Sequence, residues 1–269
     1  MKRTILIFIS LLVAVCAFSQ EPTLIHPWQG KKVAYLGDSI TDPNVKTTSK
    51  HYWELLAEWL GQTPFVYAVS GRQWNDIPRQ TQQLKREHAD DVDAIIVFIG
   101  TNDFNAAVPL GKWFDEKEEE VLAAVHGPKA MVKRVKREPN TDQSTYKGRI
   151  NIAIQTLKQT YPTKQIVILT PIHRAFATFG EQNIQPSEAY QNAIGEWFSS
   201  YVDAVKEAGN IWSVPVVDIN ALSGLYPLMP EFHQFFGNPS NDQLHPNDAG
   251  HVRIARTLYY QLLTLPCSF

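Results

Sequence analysis

Cysteine is almost absent from this 269-residue chain: only Cys16 and Cys267 occur. Two cysteines so far apart make no metal-ligand or redox motif, so stability has to come from an apolar core rather than from a disulfide framework. Net charge is scarce as well. The 25 Lys and Arg nearly balance the 27 Asp and Glu, for a formal charge of -2. No one-signed field draws the chain towards phosphate backbones or anionic lipid, so nucleic acid is not an expected partner. Repeats, low-complexity linkers and an apolar run long enough to span a bilayer are lacking too.

The one sizeable apolar run lies at the start, in "MKRTILIFISLLVAVCAFSQ". Lys2 and Arg3 precede about 14 apolar residues, and Ala17 and Ser19 stand at the -3 and -1 positions of a cut before Gln20. Residues 1–19 therefore read as an export signal, with a periplasmic or secreted product and no stable membrane insertion. Val15 stands where a lipidated Cys16 would need a small residue, which disfavours a lipid anchor. Residues 20–269, 250 positions in which Cys267 is the only cysteine, are long enough for a single domain with its own core.

Five short runs, "KVAYLG", "FVYAV", "AIIVFIG", "QIVILT" and "VPVVDI", are nearly continuously apolar. Such runs mark parallel strands covered on both faces. Between them lie helical patterns: "HYWELLAEWLG" stopping at Gly61, "YKGRINIAIQTLKQTYP" ending at Pro162, and a long one from Pro186 to Gly209. The expected fold is an α/β/α three-layer sandwich around a five-stranded parallel sheet in the flavodoxin-like order 2-1-3-4-5. An insertion at about 105–145 interrupts the alternation, and its acidic and basic flanks suggest a charged β-hairpin turning near His126.

In such a sheet, ligands bind beyond the carboxyl ends of the strands. Ser39 follows the first strand, "SGRQW" the second and "GTNDF" the third, so three polar turns converge on one edge. Ser39 either caps a helix or attacks an electrophile, and the second role requires a base and a group to orient it. Of eight histidines, His51 and His88 fall in helical patterns and His126 in the insert. His245 differs, because Asp242 precedes it by three residues in "NDQLHPND", in a loop before the last helix. A carboxylate there can hold one imidazole nitrogen while the other faces outward, although Asp and His also cap helices. His251 reads as structural, and Asp218 as a turn or cap. Gly71, Asn102 and the Ser39 N–H can serve as oxyanion donors; glycine and asparagine also simply end strands.

Taken together, "GDSIT", the Ser-Gly after the second strand, "GTND" and "DQLHP" resemble the four motif blocks of the SGNH hydrolases, or GDSL esterases. The resemblance runs through nearly the whole mature chain. It implies Ser39 as nucleophile, His245 as base, Asp242 as the acid orienting it, and Ser39, Gly71 and Asn102 as the oxyanion hole, with no metal or cofactor. The second block keeps only Ser70-Gly71 of the longer family pattern. The implied activity is hydrolysis of short acyl esters, acetyl foremost, on a carbohydrate or small-molecule substrate. Alternatives are a lipase, phospholipase or thioesterase for longer chains, and a non-catalytic carbohydrate-binding module. Trp74, Phe104, Trp113, His173 and Arg174, each after a strand end, are candidate substrate contacts; ordinary packing is the competing reading for the aromatics.

Overall fold

The computed structural model describes residues 25–124, 127–265, 267 and 269, so the expected export signal and His126 lie outside the described residues. Among the described residues, eleven strands and seven α-helices follow in chain order: β1 Lys32–Gly37, α1 Tyr52–Leu60, β2 Thr63–Val66, α2 Ile77–His88, β3 Ala94–Phe98 and α3 Thr101–Asn105. Then come β4 Phe114–Ala123, β5 Ala130–Pro139, α4 Tyr146–Thr160, β6 Gln165–Leu169, β7 Ala177–Thr178, β8 Ile184–Gln185 and α5 Phe198–Trp212. The chain closes with β9 Val216–Val217, α6 Ile219–Leu222, β10 Phe236–Asn238, β11 Asp242–Pro246 and α7 Asp248–Thr264.

The main sheet is all parallel in the order β2-β1-β3-β6-β9, which is the expected 2-1-3-4-5 once its five strands are counted alone. Its central strands are apolar throughout because both faces are covered. Ala34, Leu36, Ile95 and Val97 pack in one cluster with Ile150, Ile154 and Val205 from α4 and α5. Val33, Tyr35, Ile96 and Phe98 pack on the other side with Leu56 of α1 and Ile254 and Leu258 of α7. Side chains alternating along each strand thus build two cores, and three layers result.

Local signals set the helix ends. Glu54 reaches back to accept the His51 N–H at 2.7 Å at the start of α1, and Gly61, with φ +61°, closes it. Asn247 caps α7 by accepting the N–H groups of Ala249 and Gly250.

Three expectations change. The helix expected from Pro186 starts only at Phe198. Upstream of it, the Asn192 side chain accepts the N–H groups of Ile194 and Glu196, and Gly195 takes φ +83°, a turn that competes with helix. The Asp242–His245 stretch is a strand rather than a loop, pairing with β10 and with β7 in a small antiparallel sheet ordered β10-β11-β7-β8. Ser39 caps no helix: it sits in a turn closed by the N–H groups of Thr41 and Asp42 on the Asp38 carbonyl, and the next helix begins at Tyr52. The insertion is a hairpin of β4 and β5 whose register sets Glu116 opposite Arg137, Glu119 opposite Arg134 and Glu120 opposite Lys133.

Candidate active site

The chain must turn sharply after β1 to present Ser39. Gly37 makes this possible, since a Cβ there would stand 2.3 Å from the Phe98 carbonyl oxygen. In the turn, Ser39 Oγ lies 2.8 Å from His245 Nε2, while His245 Nδ1 lies 3.0 Å from Asp242 Oδ2. The carboxylate can only accept from Nδ1–H, so Nε2 is left without a proton and accepts the Ser39 hydroxyl. Asp242 also accepts the backbone N–H groups of Leu244 and His245 at 3.2 and 3.0 Å. Burial pushes its pKa up, but the hydrogen bonds from the His245 ring and these backbone groups outweigh it, and the carboxyl ends below its ordinary value.

The expected oxyanion donors Ser39, Gly71 and Asn102 border the same cavity. Gly71 holds φ +78°, the left-handed region that glycine enters without strain. Among the described residues, neither its N–H nor that of Ser39 donates to a protein acceptor. Asn102 Nδ2 gives one hydrogen to the Arg72 carbonyl at 3.0 Å and keeps the other. These groups are held from behind. Asp42 Oδ2 accepts the Ser70 N–H at 2.7 Å, tying the Gly71 turn to the Ser39 turn, and Gln73 Nε2 donates to the Asn102 carbonyl at 3.1 Å. Arg149 Nη1 braces both Gln73 and the buried Asp103, at 2.9 and 3.0 Å.

Two neighbouring carboxyls are perturbed. Burial pushes Asp38 up to about 7 against the Ile40 N–H, and Asp103 up to about 7 against Arg149. The cavity itself measures about 350 Å³ and is lined by Val45, Thr47, Phe179, Asn183 and Gln185 besides the residues above. Phe179 covers His245 with a centroid separation of 5.3 Å.

A model of the GDSL-like lipase/acylhydrolase family matches residues 35–253. The chain belongs to this family. A comparison with curated proteins finds no match. Among solved structures, a Lactobacillus plantarum protein is 26% identical, with a TM-score of 0.67 over 87% of this chain and 97% of that one. A possible lipase from Chitinophaga pinensis is 22% identical, with a TM-score of 0.61 over 86% and 97%. An acetylxylan esterase from Geobacillus stearothermophilus shares the fold at 16% identity, with a TM-score of 0.50 over 88% and 96%.

In this GDSL-family hydrolase the expected substrate contacts do not line the Ser39 cavity. Trp74 is fully buried and donates Nε1–H to the Tyr146 hydroxyl at 3.2 Å. Phe104 is buried edge-on to Phe198 and Tyr201, and Trp113 donates to Glu207. Arg174 is buried too: Nη1 donates to the Thr101 carbonyl and hydroxyl, both at 2.9 Å, and burial lowers its pKa to about 10. His173 bonds Glu188 and lines a separate cavity of about 150 Å³ with Trp197 and Lys206. Position after a strand places a residue at the right edge, but Trp74 and Phe104 gain more by joining the core beneath it. His251 is buried and accepts the Tyr52 N–H, and Asp218 caps α6.

The cavity residues Phe179, Asn183 and Gln185 carried no motif. They arrive with the β7–β8 hairpin, which pairs Ala177 with Asp242 across 65 residues of sequence.

Proposed function

We propose that this chain is an exported serine esterase that removes short acyl groups, acetyl foremost, from carbohydrate. The observation that carries this reading is the continuous relay from Asp242 through His245 to Ser39, with Nε2 at 2.8 Å from Oγ. His245 takes the Ser39 proton as Oγ attacks the ester carbonyl, and Asp242 stabilises the imidazolium. The N–H groups of Ser39 and Gly71 and the remaining Asn102 hydrogen meet the oxyanion. His245 then gives the proton to the leaving alcohol, and water releases the acyl group by the reverse proton traffic.

A cavity of about 350 Å³ that sets Asn183 and Gln185 beside Val45 and Phe179 has room for a small acyl group together with a polar alcohol. Because one fold neighbour is an acetylxylan esterase, acetylated xylan is the first natural substrate to assay. Export rests on Lys2, Arg3 and the apolar run that follows; the mature protein from a native host should begin at Gln20. Ser39→Ala should lower turnover of p-nitrophenyl acetate on the order of 10⁶-fold while the protein stays folded. Retained turnover would sink the mechanism. Faster hydrolysis of octanoyl than of acetyl esters would favour a lipase or thioesterase instead.

A further inference from the structure

Gln185 is buried in β8, yet its side chain lines the cavity that holds Ser39 and His245. Arg174 decides which end of its amide faces that cavity. A guanidinium has donors only, and Arg174 Nη2 lies 3.0 Å from Gln185 Oε1, so the amide oxygen must face the arginine. Arg174 in turn is fully buried, anchored on Thr101 by Nη1 and on Glu188 Oε2 by its backbone N–H at 3.0 Å. The Phe104 ring sits 5.5 Å from its guanidinium. With the oxygen committed, Gln185 Nε2 points the other way. Among the described residues its one protein acceptor is Asn183 Oδ1 at 3.5 Å, the outer limit of a hydrogen bond. Gln185 thus holds a preorientated N–H with a weak protein partner, in a residue that lines the same cavity as Ser39, Gly71 and Asn102.

We propose that Gln185 is a specificity-determining residue that donates to an oxygen of the alcohol half of the substrate, a sugar hydroxyl or ring oxygen. This rests on the reading of Ser39 as an esterase nucleophile. An acetyl group brings one methyl and one carbonyl oxygen, and that oxygen belongs to the Ser39, Gly71 and Asn102 donors. The acceptor for Gln185 must then come from the alcohol. A hydrocarbon chain laid against Nε2 would strip its water and return nothing, so the same group selects against long acyl chains.

The test compares kcat/KM for a monoacetylated xyloside with that for p-nitrophenyl acetate. Gln185→Glu keeps an oxygen for Arg174 and replaces the donor by an acceptor; Gln185→Met removes both. Each variant should lose about ten-fold more on the xyloside than on p-nitrophenyl acetate, the worth of one uncharged hydrogen bond. Both substrates share the acetyl group, so the ratio isolates the alcohol half, and the melting temperature identifies which variants are folded. Equal losses on the two substrates in either folded variant would overturn the assignment. Wild-type protein that hydrolyses p-nitrophenyl acetate through Ser39 but no xyloside acetate would overturn it while leaving the esterase reading intact. If wild-type protein hydrolyses neither, both fall.

Discussion

The carboxyl edge of the parallel sheet and the β4–β5 hairpin are built on opposite principles. At the sheet, β1 and β3 are buried almost without interruption, and the turns that follow them inherit positions set by packing on two sides. In the hairpin, two strands of ten residues each are exposed along most of their length and hold register by backbone pairing and ion pairs such as Arg137–Glu116 at 2.9 Å. Exposed pairs of this kind contribute well under about 1 kcal/mol each, because water screens them. Precision at Ser39 therefore derives from the core, and the charged hairpin adds surface rather than geometry.

The most severe test of that contrast is Asp242→Asn. It leaves the shape of the site but supports the wrong imidazole tautomer, so kcat for an acetyl ester should fall about 10⁴-fold. Circular dichroism should show a folded protein; undiminished turnover would mean that His245 needs no orienting acid.

Asn102→Ala should cost about 10²–10³-fold in kcat with little change in KM, because in the proposed mechanism its free hydrogen meets charge only in the transition state. A loss confined to KM would instead make Asn102 a ground-state contact.

Buried Asp38 gives a pH signature. Its folded pKa of about 7 lies above the ordinary 3.8, so between those values the folded protein holds more protons than the unfolded one. Its contribution to stability is full below pH 4 and is lost as pH rises towards 7. Asp38→Asn should flatten part of this decline in unfolding free energy, a change on the order of a few kcal/mol read from urea titrations across pH. Asp103, raised to about 7 as well, should account for a similar part of what remains. Asp242 acts in the opposite sense. Its lowered carboxyl adds stability above its ordinary pKa, and that is lost as acid protonates it.

The smallest effect belongs to the hairpin. Arg137→Glu sets like charges against each other at Glu116 and should lower the unfolding free energy from urea titration by less than about 1 kcal/mol, less still in high salt. kcat/KM should stay within about two-fold. A ten-fold fall would break the contrast by making the hairpin part of the site.

Much of this was legible in the residues themselves. Apolar runs mark β1 and β3 because parallel strands bury both faces, and Ser39, Gly71 and Asn102 follow within five residues of the strand ends. Asp242 and His245 are close in sequence, so a local geometry brings carboxylate and ring together. The helix misjudged at Pro186 had a helical apolar pattern, but the Asn192 side chain and Gly195 favoured a turn there. Trp74, Phe104 and Arg174 were placed at the correct edge with the wrong facing.

Sequence alone determined the strand order of the parallel sheet, the turns after β1, β2 and β3 and the candidate reacting groups, because these depend on local patterning and on chemistry that few residue types can perform. Tertiary structure decided which side chains beyond each strand turn inward, and it brought the β7–β8 hairpin to Asp242. Those outcomes depend on packing between segments far apart in the chain. So does the facing of Gln185, which is settled by a buried arginine that sequence patterning had assigned to the surface of the site.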